Sequence, residues 1–419
     1  MICVHKDMEG IYMQGNIEFM QGGITAPEGF LASGVHCGIR KNKAKLDVAL
    51  IMADRMCAAA AVYTVNKVKA APILLTMENL KDGKARAVLV NSGCANACAP
   101  GGMEAAKATI DAAATATGLQ PADFIVASTG VIGVALPADK IIGSLPQLVQ
   151  ELSTDGTNAT EAIMTTDTFM KATAVSFTLG GKIVKIGGIT KGSGMIHPNM
   201  ATMLTFLTTD CDISTELLQE ALKTSTNRTY NRISVDGDTS TNDMAAILAN
   251  GAAGNAKITE KNADYEIFQA ALDAVNLKLA KDIAIDGEGA TKLIICNVTG
   301  AASEEVAVLA GKSVISSSLV KAALFGEDAN WGRILCACGY SGADFDPNKV
   351  DIAFSSAKGC IDVCENGAGL SFDEEIAKHV LSERDITIEI NLNNGSYSAE
   401  TYGCDLTYDY VKINGDYRS

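Results

Sequence analysis

Aromatic residues make up only 5% of the 419-residue chain, tryptophan occurs once, and histidine occurs four times. His5, His36, His197 and His379 never fall at HxH or HxxxH spacing, so no histidine pair of metal-binding pattern exists. Positive charge is also short. The 34 Lys and Arg stand against 49 Asp and Glu, and the formal charge of −15 repels polyanions, which argues against nucleic acid or an anionic membrane surface as a partner. No apolar run approaches the roughly 18 to 20 residues needed to cross a bilayer. The opening Met-Ile-Cys-Val-His-Lys-Asp lacks the continuous apolar segment of a signal peptide. Small-molecule substrates and a cytoplasmic location are expected.

What is present is ordinary for a globular protein: 47% hydrophobic and 20% charged residues, enough to build a sizeable core. At about 150 residues per domain the length allows two or three domains or one large two-lobed unit. The twelve cysteines are scattered along a chain too long to need staples, so reduced thiols are expected. Cys94-x3-Cys98, Cys336-x-Cys338 and Cys360-x3-Cys364 have the look of metal-ligand pairs. Small cysteines among Ala and Gly more commonly serve as compact hydrophobes, and no metal is expected.

Glu104 to Thr117 is alanine-rich and stops at Gly118, which predicts a helix with its terminator. A second helical stretch runs from about Asp139 to Leu152 across Pro146. From Ala172 to Ile189 the residues favour strands, and Gly180-Gly181 divides them as a hairpin turn would. A loop is then expected from Lys191 to Met200, followed by an apolar strand from Met203 to Leu207. Ser214 should open one helix, and Tyr265 to Asp282 should form a longer amphipathic one. Ile386 to Leu392 and Leu406 to Ile413 are both predicted as strands, with Asn394-Gly395 marking a turn. Strands and helices alternate too irregularly for a βαβ repeat. The expectation is a mixed α/β architecture with two layers of largely mixed or antiparallel sheet flanked by helices.

The segment densest in glycine is 187–204, Gly-Gly-Ile-Thr-Lys-Gly-Ser-Gly-Met-Ile-His-Pro-Asn-Met-Ala-Thr-Met-Leu. Glycines at 187, 188, 192 and 194 make backbone N–H groups approachable, as in phosphate loops. The order is wrong for one, because Lys191 precedes Gly192 and a strand follows. Gly311-Lys312-Ser313 fails as well, with Val306 where the first glycine belongs. His197 invites a role as base or ligand, yet a lone loop histidine beside Pro198 is more often structural.

Residues 190–204 resemble the signature of the ornithine acetyltransferase family, whose precursor cleaves itself between the Ala and Thr of Met-Ala-Thr-Met-Leu, here Ala201 and Thr202. Further blocks agree in the family's order: Gly29–Gly34, Ser128-Thr-Gly-Val-Ile-Gly133, Met164-Thr-Thr-Asp-Thr168, Asp286-Gly-Glu-Gly-Ala-Thr-Lys292, Asn330-Trp-Gly-Arg-Ile334 and Asp409-Tyr-Val-Lys-Ile-Asn414. One departure is Cys94, where family members usually carry asparagine in Asn-Ser-Gly-Asn-Ala-Asn-Ala.

The resemblance implies an autoprocessed fold of the N-terminal-nucleophile type, giving an α chain of residues 1–201 and a β chain of 202–419. It implies acetyl transfer from N-acetylornithine to glutamate in arginine biosynthesis, through an acetyl-Thr202 intermediate and without an obligatory cofactor, acetyl-CoA remaining open as a co-substrate. Thr202 would be nucleophile and, through its freed amine, its own base; Thr129 and Gly130 would form the oxyanion hole. Thr165, Thr166, Lys191, Thr202, Glu288, Asn414 and Ser419 would contact substrate, and the cleaved chains would assemble as α2β2. Without the resemblance, Thr202 would be read as leading a strand, Ser128-Thr-Gly130 as a turn, and Lys191 and Glu288 as solvated charges. Two alternatives stand beside this reading: an N-terminal-nucleophile amidase or aminopeptidase in which water resolves the acyl-enzyme, and an unprocessed binding protein.

Overall fold

The computed structural model describes residues 17–197 and 203–416. It opens with strands β1 (Glu18–Met20), β2 (Phe30–Val35) and β3 (Val48–Tyr63), then helix α1 (Ala71–Asn79), strand β4 (Lys84–Asn91), helix α2 (Gly102–Thr117) and strand β5 (Phe124–Ser128). Helices α3 (Ala138–Gln150) and α4 (Thr157–Ile163) lead to the hairpin β6 (Lys171–Leu179) and β7 (Lys182–Lys191), followed by β8 (Leu204–Thr209). Next come α5 (Thr215–Arg228), β9 (Ile233–Ser234), β10 (Met244–Ala249), α6 (Ala263–Ile285) and β11 (Leu293–Ala301). The remainder is α7 (Glu304–Ser316), α8 (Ser318–Phe325), α9 (Trp331–Gly339), β12 (Asp351–Ser356), β13 (Gly359–Glu365), β14 (Ala368–Gly369), α10 (Glu374–Leu381), β15 (Asp385–Asn391), β16 (Tyr397–Cys404) and α11 (Tyr408–Gly415).

Two mixed sheets organise these elements, as expected. The larger runs β1-β6-β7-β8-β10-β3-β4-β5, with β2 also on β3, and the smaller runs β14-β13-β12-β15-β11-β16-β9. The long β3 serves both halves of the larger sheet: residues 48–52 and, past a register shift, 57–58 pair with β4, while residues 58–63 pair with β10. Alternation along its strands sorts the side chains onto opposite faces. Val62, Phe177, Ile186 and Ile247 pack against α5 and α6, whereas Ala61, Ile189, Phe206 and Ala246 share a separate cluster with Ile51, Val88 and α4. Outside the β4-β5 half, Leu50, Leu89 and Val126 are covered by α2 and α3. Helix α6 also reaches β9, β11 and β16, so it joins the two sheets.

Local chemistry explains most boundaries. Gly118 closes α2 at φ +74°, Ser214 Oγ accepts from Leu217 N to open α5, and Asn262 caps α6. The Gly180-Gly181 turn joins β6 to β7 with every residue of the hairpin in register. Gly311, Lys312 and Ser313 lie within α7 and so form no phosphate loop.

The predicted strand from Leu406 to Ile413 is instead the helix α11. Thr407 accepts from Tyr410 N and Asp409 adds a carboxylate to the first turn, two start signals that outweigh the β-prone composition. Strand β7 continues through Lys191, so the expected loop begins one residue later. Among the described residues ten cysteines are free thiols, while Cys360 is disulfide-bonded, which departs from the all-reduced expectation. No single helix among the described residues is long and apolar enough to cross a membrane.

Candidate active site

The site is built where β4 and β5 end side by side. Thr129 N donates to Asn91 O at 2.9 Å, the Ser128 hydroxyl donates to Asn91 Oδ1, and Asn91 Nδ2 donates to Cys94 O. Buried Asn242 locks the turn from the other side, its Nδ2 donating to Ala95 O at 2.6 Å and Ser128 O at 2.8 Å. Gly130 sits at φ +131°, and a Cβ there would lie 2.4 Å from the Gly93 carbonyl carbon. Only glycine fits so close a crossing, which holds the Thr129–Gly130 backbone in one place.

Lys191, the last residue of β7, is buried and pairs in register with Leu204, the first residue of β8. Its amine donates to Thr129 Oγ1 at 3.3 Å. Burial pushes its pKa down and neighbouring Lys171 adds to that, while Asp167, Asp243 and Glu288 oppose it. Asp167 accepts from Thr165 N and Gly192 N, both at 2.8 Å, and from Lys171. Burial alone would raise the Asp167 carboxyl, but Lys171, Lys191 and the Gly192 N–H outweigh it and hold the group at about 2. Thr165 and Thr166 are half-buried in the turn that follows α4.

Glu288 follows α6, and its N–H donates to Ser193 O at 2.9 Å. Its carboxylate lies against Gly194, where a Cβ would come within 2.4 Å of Glu288 Cδ. Asn414 on α11 donates to Glu288 Oε2 at 2.8 Å. The misread C-terminal helix is thus what delivers Asn414.

The chain entering the Ala201–Thr202 pair is anchored up to its last described residue. Asp236 accepts from Met195 N at 2.6 Å and Ile196 N at 2.8 Å, and the Tyr410 hydroxyl lies 3.3 Å from the same carboxylate. His197 Nδ1 lies 3.0 Å from Ser234 Oγ. Burial, reinforced by Lys312 and opposed by Asp236, holds the imidazole down at about 4, so it is neutral near pH 7. Ala201, Thr202 and Ser419 fall outside the described residues. On the far side Met203 is buried and its carbonyl accepts from Met244 N at 2.9 Å.

Thr129, Gly130, Thr165, Lys191, Glu288 and Asn414 therefore converge on the ends of β7 and β8 through linked hydrogen bonds. Sequence reasoning missed Asp236, Asn242, Lys171 and the roles of Asp167 and Asp286. Asp167 and Asp286 do lie inside the quoted blocks 164–168 and 286–292, a signal without an assigned role. Asp236 and Asn242 carried none, because the site groups they hold are more than thirty residues away in the chain, and Lys171, four residues from Asp167, owes its bridging role to the distant Asp286. A buried ammonium beside a hydroxyl-bearing glycine turn suits an anion, and an amide-supported carboxylate suits a cation. Among the described residues no group of three or more His, Cys, Asp or Glu side chains could hold a metal.

Comparison with known proteins bears on this site. The model of the ArgJ family matches residues 31–419. The arginine biosynthesis bifunctional protein ArgJ of Caldanaerobacter subterraneus subsp. tengcongensis is 52% identical over 405 residues, 96% of this chain and 100% of its own. The arginine biosynthesis bifunctional protein ArgJ 1 of Clostridium acetobutylicum is 53% identical over 398 residues, 94% of this chain and 97% of its own. Among solved structures, the ArgJ protein of Bacillus halodurans is 47% identical with a TM-score of 0.49, covering 51% of this chain and 99% of that one. Ornithine acetyltransferase of Mycobacterium tuberculosis, complexed with ornithine, is 36% identical with a TM-score of 0.41, covering 45% of this chain and 99% of that one.

Proposed function

The chain belongs to the ArgJ family, and from that premise we propose that it is an acetyltransferase of arginine biosynthesis that cuts itself between Ala201 and Thr202 and then carries acetyl from N-acetylornithine to glutamate. What supports the reading above all is the Lys191 amine, buried 3.3 Å from the Thr129 hydroxyl and paired in register with the strand that begins two residues after Thr202.

In the maturation step the Thr202 hydroxyl attacks the Ala201 carbonyl carbon and the peptide C–N bond breaks. Water hydrolyses the resulting ester, leaving an Ala201 carboxylate, a Thr202 hydroxyl and a free amine. An α-amino group has a reference pKa near 7.7 to 8.0, so a useful fraction is neutral and can take the hydroxyl proton.

In the transfer the Thr202 oxygen adds to the acetyl carbonyl of N-acetylornithine. The Thr129 hydroxyl and the N–H of Gly130 stabilise the oxyanion, each donor lowering the barrier by about 3 kcal/mol. Ornithine leaves with the proton held by the Thr202 amine, and acetyl stays as the Thr202 ester. Glutamate then attacks that ester with its own amine, returning a proton to the Thr202 oxygen, which closes a ping-pong cycle. Lys191 holds the substrate carboxylate; Glu288, supported by Asn414, lies on the amine side; Thr165, Thr166 and Ser419 add polar contacts. No cofactor takes part, although acetyl-CoA is the natural second donor to assay. The working assembly is a cytoplasmic α2β2, to be measured by light scattering.

The test is intact mass together with an acetyl-transfer assay. The purified protein should give two polypeptides, the second beginning at Thr202, and should form N-acetylglutamate from N-acetylornithine and glutamate. Thr202→Ala should remain one chain and transfer nothing. Plain deacetylation with no acetylglutamate would point to a hydrolase, and an active uncut chain would overturn the mechanism.

A further inference from the structure

Three charged side chains inside the site have no part in the chemistry just described. Lys171, the first residue of β6, has a side chain with 0% exposure and lies 2.7 Å from Asp167 Oδ1 and 2.5 Å from Asp286 Oδ2, whose side chains are 0% and 2% exposed. The Lys171 ammonium also stands 4.9 Å from the centre of the Phe169 ring. Taking such groups out of water costs about as much as their attraction returns, so stability alone is a weak account of them.

What the two carboxylates grip is more informative. Asp167 fixes Thr165 N and Gly192 N. Asp286 accepts from Thr168 N at 3.1 Å and from the Thr168 hydroxyl, and its backbone carbonyl accepts from Ser193 Oγ at 2.6 Å. One ammonium thereby ties together stretches 165–168, 191–193 and 286–288, which carry Thr165 and Thr166, Lys191, and Glu288. Without it, two carboxylates sharing one dry site could not both stay ionised, and protonation would remove an acceptor from one of those stretches.

We propose that Lys171 is a positioning residue for acetyl transfer: by clamping Asp167 to Asp286 it sets the spacing between the Lys191 amine and the Glu288 carboxylate that grip the two ends of the substrate amino acid. The inference rests on the function proposed above. Lys171 touches no substrate, and its effect passes through the backbone at Gly192 and through Asp286 to Glu288.

Two variants test it. Lys171→Met strands two buried carboxylates and should lose stability as well as activity. The triple variant Asp167→Asn, Lys171→Met, Asp286→Asn keeps the shapes, removes all three charges and should fold. Each is followed by denaturing electrophoresis, by urea unfolding, and by kcat and KM on the cleaved protein. The folded triple variant should show KM for N-acetylornithine raised tenfold or more with kcat changed less than threefold. A merely structural role would lower the folded fraction without that split. A triple variant with wild-type KM overturns the inference while the wild type, active alongside, upholds the parent reading. A wild type without transfer removes both.

Discussion

The Lys191 amine donates to the Thr129 hydroxyl across 3.3 Å, joining the ends of two strands sixty-two positions apart in the chain. Because burial lowers the Lys191 pKa, the amine gives up its proton at a lower pH than an exposed lysine. Acetyl transfer should therefore decline on the alkaline side before the ordinary lysine range is reached. Lys191→Met should abolish that limb and raise KM for N-acetylornithine by about thirtyfold, corresponding to roughly 2 kcal/mol for an unpaired buried substrate charge. A pH–rate profile of the variant that still falls at the same pH would contradict the assignment.

Gly130→Ala should be far more damaging than a surface Gly→Ala change. The added methyl would meet the Gly93 carbonyl carbon at 2.4 Å and Cys94 N at 2.6 Å, at a φ of +131° that side chains rarely adopt. Displacement of the oxyanion donors should cost at least a hundredfold in kcat, the scale of losing one such donor. Steady-state kinetics on the cleaved variant measure this, and kcat within fivefold of wild type would count against the oxyanion role.

Acid should loosen the chain first around His197. Its folded pKa of about 4 lies below the unfolded value of 6.5, so between those limits the unfolded chain binds more protons and stability falls as pH falls. Asp167, held at about 2, loses its contribution only at lower pH, between 3.8 and 2. Urea midpoints from pH 7 to 4 should drop less steeply for His197→Asn than for wild type, and parallel curves would rule the histidine out.

Cys94→Asn should be nearly silent. The Cys94 thiol donates to Val134 O at 3.4 Å, a contact an amide can replace, while the backbone bonds to Asn91 do not involve the side chain. Transfer rate within threefold of wild type and stability within about 1 kcal/mol are expected, since such neutral bonds contribute about that much. A large loss measured by either assay would show that the thiol itself matters.

Legibility in the sequence followed locality. The hairpin from Lys171 to Lys191 could be read because its turn residues and its strand pattern lie together, and the same holds for the Ser214 cap and the Gly118 stop. The sixteen-residue β3 could not, because Val48–Tyr63 is alanine-rich, its exposed Asp54, Arg55 and Met56 interrupt the apolar pattern, and its length is set by pairing with three different neighbours. Leu406 to Ile413 misled because tyrosine, valine and isoleucine favour strands, and a threonine cap was the stronger signal. Within the site, the motif blocks marked Thr129, Lys191 and Glu288. The Lys171 ammonium bridges Asp167, four residues away, to the distant Asp286, and the Asn242 amide nitrogen acts on distant backbone carbonyls, so no local pattern announces either bridge.

The place of β8 bears on how the protein would behave once cut, as proposed, between Ala201 and Thr202. Its hydrogen bonds run to β7 on one side and β10 on the other, and β10 pairs in turn with β3. Strands from before the proposed cut thus bracket a pair from after it, so neither piece would own the larger sheet, whereas the smaller sheet lies wholly after the cut. An affinity tag fixed to one fragment should retain the other through native washing and release it only in denaturant, and fragments made from separate genes would need to fold around each other.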